Sequence, residues 1–94
     1  MIQLGNSIKK EKLDELRANP AQIIIGKNGL TENSLNAIKI KLNKNKIVKL
    51  KVLKTVEELE TMDRKEFAEL IADKLNAKLV EIRGYNLILQ KKDT

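Results

Sequence analysis

Apolar residues recur along this chain in two rhythms, one at helical spacing and one at strand spacing. Ile8 to Arg17 sets Leu13 and Leu16 on one helical face, with Ser7 or Asn6 available as N-cap and Pro20 closing the segment. Gln22-Ile23-Ile24-Ile25 is a β-branched run that reads as a short buried strand. After Gly26-Lys27-Asn28-Gly29 the period lengthens again. Thr31 can cap a helix with Glu32 in its first turn and Leu35, Ile38 and Leu42 on one stripe, and Asn43 or Asn45 suits its exit. Ile47 to Lys54 alternates Val48, Leu50 and Val52 with Lys49 and Lys51, the signature of a strand. Val56 to Thr61 reads as a loop with room for one helical turn.

The third helix has the clearest start. Asp63 and Glu66 form a capping-box pair, Met62 and Phe67 can staple the first turn, and Phe67, Leu70, Ile71 and Leu75 supply the buried stripe. Lys78 to Arg83 and Asn86 to Gln90 then predict a hairpin around Gly84-Tyr85, followed by a polar tail. The expected order is α-β-α-β-α-β-β. Each helix has a single apolar stripe, so the expected fold class is a two-layer α/β sandwich: a four-stranded mixed sheet with the helices on one face. Right-handed crossovers make the first two β-α-β steps parallel and the closing hairpin antiparallel. The other sheet face then meets water or a partner, and Lys49, Lys51, Glu81 and Arg83 suit it.

Size and composition narrow the chemistry. Ninety-four residues make one domain, 1–94, because a second core would leave both too small. The absence of Cys and His excludes disulfides, thiolate nucleophiles, imidazole bases and zinc sites of the usual ligand types. No calcium-loop spacing of carboxylates occurs, so neither a metal nor a cofactor is expected, and no catalytic residue can be named. Phe67 and Tyr85 are the only aromatics, which argues against base stacking of the kind RRM and cold-shock domains use. The N-terminus has no apolar run of signal-peptide length and no segment is long enough to span a bilayer, so a soluble, cytoplasmic protein is expected.

Charge adds a direction. The net charge is +6, yet seven lysines (39, 41, 44, 46, 49, 51 and 54) lie between Asn33 and Val56 with no acid among them, leaving the remainder slightly acidic. Crowded like charges repel, and a polyanionic partner relieves them; a solvated lysine-rich surface is the plainer reading.

The loop is the strongest local feature. A strand ends at Ile25 and a helix begins near Thr31, so Gly26 to Gly29 sit at a helix N-terminus, where unpaired amides and the macrodipole favour an anion. Two glycines admit close approach, Lys27 adds a cation and Asn28 a hydrogen-bonding side chain. A tight structural connection needs the same glycines. No Walker-type or dinucleotide-binding glycine pattern is present.

These motifs resemble a known family. QIIIGKNGLTENSLNAIKIKLNKNKIVKLKV has the strand, G-x-x-G-L-T loop, helix and lysine-bearing strand of the CRM domain, the YhbY-like RNA-binding fold. DRKEFAELIADKLNAKLVEIRGYNLIL is similar to that family's third helix and V-x-x-R-G hairpin. The resemblance runs from about Ile8 to Gln90. It implies a fold like the C-terminal domain of bacterial translation initiation factor three, and RNA binding through the loop and adjacent basic residues. Stand-alone prokaryotic members are associated with large-ribosomal-subunit precursors and plant members with group II intron splicing. Lys41 departs from the pattern, standing where family helices often carry a small apolar residue. KH domains also use G-x-x-G, but between two helices.

The expected function is therefore non-enzymatic RNA binding, to ribosomal RNA or a large-subunit precursor, in ribosome assembly or another RNA-maturation step. Gly26, Lys27, Asn28 and Gly29 would cradle one or two phosphates. Lys39, Lys46, Lys49, Lys51 and Arg83 would form the flanking footprint, with Arg83 also able to pair with Glu81. The rival is an adaptor docking on a ribosomal or other acidic protein through the open sheet face.

Overall fold

A computed structural model of the chain describes residues 10–92. Helix α1 spans Lys10–Ala18, strand β1 Ile23–Ile25, helix α2 Glu32–Asn45, strand β2 Ile47–Val52, helix α3 Arg64–Leu75, strand β3 Ala77–Arg83 and strand β4 Asn86–Lys91. A 3-10 turn, Glu57–Glu60, occupies the segment left open between β2 and α3. The expected caps Ser7 and Asn6 lie outside the described residues.

Local chemistry explains the helix ends. Thr31 Oγ1 accepts from the Ser34 amide and starts α2. At α3 both halves of the capping box form: Asp63 Oδ1 accepts from the Glu66 amide at 2.8 Å, and Glu66 Oε1 from the Asp63 amide at 3.2 Å. Helix α2 ends at Asn45, one of its two expected exit residues, and Lys46 caps it in a left-handed conformation at φ 68°. Asn76 does the same for α3 at φ 52°. Asparagine tolerates that region well; lysine does so at a cost. No described helix is long and apolar enough to cross a membrane.

The sheet order is β1-β2-β4-β3. Strand β1 pairs parallel with β2, while β4 pairs antiparallel with both β2 and β3. The closing hairpin thus inserts its second strand beside β2, so β3 runs in the direction of β2 without touching it. Ile25, Val48, Leu50, Val52, Leu87 and Leu89 form one face of a core completed by Ile38 and Leu42 of α2 and by Phe67, Ala68, Ile71 and Ala72 of α3.

The mixed four-stranded sheet and the element order are as expected, but the helices do not all lie on one face. Leu16 of α1 packs with Ile47 and Ile88, joined by Leu13 and Val80, in a second and smaller cluster. Ile47 and Ile88 alternate with the main-core residues along their strands, so α1 covers part of the opposite face. The reason is that β2 and β4 are apolar at successive positions at this end, giving both faces something to bury. Two attachments hold α1 there. Arg17 pairs with Glu81 of β3, its Nε donating to the two carboxylate oxygens at 3.0 and 3.1 Å and its Nη2 also contacting Oε1. Lys49 Nζ donates to the carbonyls of Arg17 and Asn19 at 3.1 and 2.6 Å.

Candidate functional site

The C-terminal ends of β1, β2 and β3 point the same way, and the loop, the hairpin tip and the start of α3 gather there. The Gly26–Gly29 turn closes with the Gly29 amide donating to the Gly26 carbonyl at 2.9 Å. The two glycines differ. Gly29 has φ 75°, and a Cβ there would fall inside the Glu58 carboxylate. Gly26 has an ordinary φ and nothing within 4 Å of where a Cβ would stand. The fold requires Gly29 and leaves Gly26 open.

Glu58 changes what the loop can do. Its Oε2 accepts from the Leu30 amide at 2.9 Å, at the mouth of α2, and its buried Oε1 has no hydrogen-bond partner among the described residues. The chain's own carboxylate therefore fills the position where the helix terminus was expected to favour a phosphate. Together with the internal bond of Gly29, this spends two of the amides the sequence reading assigned to a phosphodiester. The amides of Lys27 and Asn28 have no partner among the described residues, and both residues are exposed. They line a recess of about 320 Å³ with Thr55, Glu57 and Glu60. The loop's open edge is thus flanked on one side by two glutamates.

Cations collect on the other side. Ile24, Lys51, Asn86 and Arg83 are aligned through successive strand pairings, one residue from each strand, across the part of the second face beyond the α1 attachments. At ordinary strand spacing this row is about 14 Å wide. Lys51 and Arg83 are both exposed. Arg83 Nε lies 3.8 Å from Glu81 Oε2, a loose contact, because Glu81 is taken by Arg17. The hydrogen bonds from Arg17 hold the Glu81 carboxyl below its ordinary pKa despite the opposing effect of its burial. Lys54 and Arg64 extend the cationic rim around Tyr85 at the hairpin tip.

The predicted footprint is only partly brought together. Gly26, Lys27, Asn28, Gly29, Lys51 and Arg83 share this end. Lys49 does not serve as a surface cation: it is 8% exposed, with its ammonium bonded to the end of α1. Lys39 is exposed midway along α2, on the helix layer. Lys46 caps α2 at the far end of β2, about 20 Å from the loop by strand rise. Arg64 was missed, Lys54 was counted only within the lysine run, and Tyr85 was read as a turn residue. Tyr85 stands 31 residues from Lys54 and 21 from Arg64 in sequence, so no local pattern announces the cluster. Among the described residues no group of His, Cys, Asp or Glu is arranged to hold a metal ion.

Comparison with known proteins agrees with this architecture. A hypothetical protein from Staphylococcus aureus, whose solution structure is provisionally described as that of an RNA-binding protein, is 23% identical. Its fold superposes with a TM-score of 0.66, covering 94% of this chain and 92% of that one. No functionally curated protein matches the chain. Residues 7–91 match the CRS1/YhbY (CRM) domain, a span that takes in the loop, the sheet and every described helix. The strand–loop–helix unit around Gly26 to Gly29 and the arginine-bearing hairpin are thus parts of one domain pattern, and the chain belongs to the CRS1/YhbY (CRM) domain family.

Proposed function

We propose that this protein binds RNA, holding its phosphate backbone at the cationic end of the sheet. The observation that carries the reading is the convergence there of Lys27, Lys51, Lys54, Arg64 and Arg83 from five separate segments, next to two loop amides without a partner among the described residues. Glu57 and Glu60 stand on the helix-side flank of Lys27, so a polyanion approaches from the flank of Lys51 and Arg83. Gly26 fits this direction, since its missing side chain is not required by the fold. The family match and the RNA-binding description of the Staphylococcus aureus neighbour support the same reading.

Within RNA, we assign the target to ribosomal RNA or a large-subunit precursor, which carries a cytoplasmic location with it. Support comes from the resemblance of the loop and hairpin to stand-alone members of the family. The role we propose there is binding. Neutralising four to five phosphates gives log K against log[salt] a slope of about −3 on single-stranded RNA. Titration of a labelled ribosomal RNA fragment across a salt series tests this. A flat response would remove the electrostatic basis of the proposal.

A further inference from the structure

We infer that Tyr85 and the two cations beside it form a seat for one unpaired nucleobase of the bound strand; the inference rests on the RNA-binding reading above. The ring is held from behind. Gly84, at φ 58°, turns the hairpin, and the Tyr85 carbonyl accepts from the Val52 amide at 2.8 Å, fixing the backbone. Tyr85 is half-buried over an apolar groove formed by Val52, Leu59, Phe67 and Leu87. The Arg64 guanidinium carbon lies 5.0 Å from the ring centroid, and Arg64 Nη1 donates to the Gly84 carbonyl at 2.7 Å. Lys54 Nζ is 5.7 Å from the same centroid.

A purely structural role accounts for Arg64, which ties the hairpin to α3. Among the described residues Lys54 is held by its contact with the ring alone. That ammonium has no hydrogen bond or ion pair among the described residues, and it places a second positive charge beside the first, an arrangement that a polyanion relieves. The acids nearest in sequence are engaged elsewhere: Asp63 and Glu66 cap α3, Glu58 accepts from the Leu30 amide, and Glu57 and Glu60 line the Lys27 recess. A planar guanidinium set over an aromatic ring offers the kind of surface on which exposed bases stack, and single-stranded RNA is recognised largely through such splayed bases. The Tyr85 backbone lies about two strand spacings, roughly 10 Å, from the end of β1, so one strand can engage the loop by its phosphates and Tyr85 by a base.

The chain suits a direct test, because Tyr85 and Phe67 are its only aromatic residues and it has no histidine or tryptophan. Ring-proton NMR of the full chain is followed during titration with a short single-stranded RNA, and with the same strand carrying abasic sites. The Tyr85 resonances shift upfield with the intact strand and not with the abasic one, while those of buried Phe67 stay in place. In parallel, Tyr85→Leu loses roughly 5- to 100-fold in affinity for the intact strand. Tyr85→Phe retains it, and neither variant changes binding to a blunt RNA duplex. Wild-type binding with unmoved Tyr85 resonances, or equal affinity for intact and abasic strands, would overturn the base seat and leave backbone binding standing. Failure of the wild-type chain to bind any of these RNAs would overturn the underlying reading as well.

Discussion

Among single residues, Lys49 and Gly29 show how the same side-chain chemistry is put to different uses. Lys49 and Lys51 both alternate out of β2, yet only Lys51 meets solvent. The ammonium of Lys49 instead satisfies two carbonyls at the end of α1, where a cation also complements the helix dipole. Lys49→Met should lower unfolding free energy by about 1–3 kcal/mol, the cost of leaving such groups unpaired, with no change in the salt slope of RNA binding. Denaturant titration and the salt series check the two halves separately. The glycines divide in the same way. Gly29→Ala should destabilise by more than about 1–2 kcal/mol, because it adds a left-handed penalty to a collision with Glu58. Gly26→Ala should leave the melting temperature unchanged and weaken RNA binding. Sequence shows that both lysines alternate and that both glycines flank a turn. It does not show which lysine another helix will cover, or which glycine a distant carboxylate will abut.

The elements differ in how far their residues announce them. Helix α3 is legible because its signals are local: Asp63, Glu66 and the apolar spacing lie within one or two turns, and both capping bonds form. Removing that cap in Asp63→Ala should cost about 1 kcal/mol in thermal unfolding. The position of α1 was not legible. It depends on Leu13 and Leu16 meeting Ile47, Val80 and Ile88, and on an ion pair between residues 17 and 81. That pair also gives α1 a pH signature. The folded pKa of Glu81 lies below its unfolded value, so the pair stabilises in full above the ordinary glutamate range. Its contribution is lost as pH falls through the lowered folded value. Melting temperatures of wild type and Glu81→Gln should therefore differ at neutral pH and converge in acid. A constant gap would mean that Glu81 acts by packing instead of charge.

Over the whole molecule, a net charge of +6 resolves into positions with unlike roles. Lys27, Lys51, Lys54, Arg64 and Arg83 surround one end of the sheet, Lys46 stands at the other, and Lys49 is internal. The order of elements and the loop between strand and helix were readable from periodicity. The sheet order, the helix on its second face and the aromatic–cation cluster arise from pairings between distant segments, which periodicity does not encode. On the proposed reading, binding belongs to one end of the molecule and not to charge in general. The most direct measurement is a salt-series binding titration on a ribosomal RNA fragment with two double variants of equal net charge, Lys27→Gln/Lys51→Gln and Lys46→Gln/Lys92→Gln. The first pair should lose affinity, with a salt slope shallower by about 1.4, the share of two phosphates, while the second should stay close to wild type. Equal losses in both would contradict that reading.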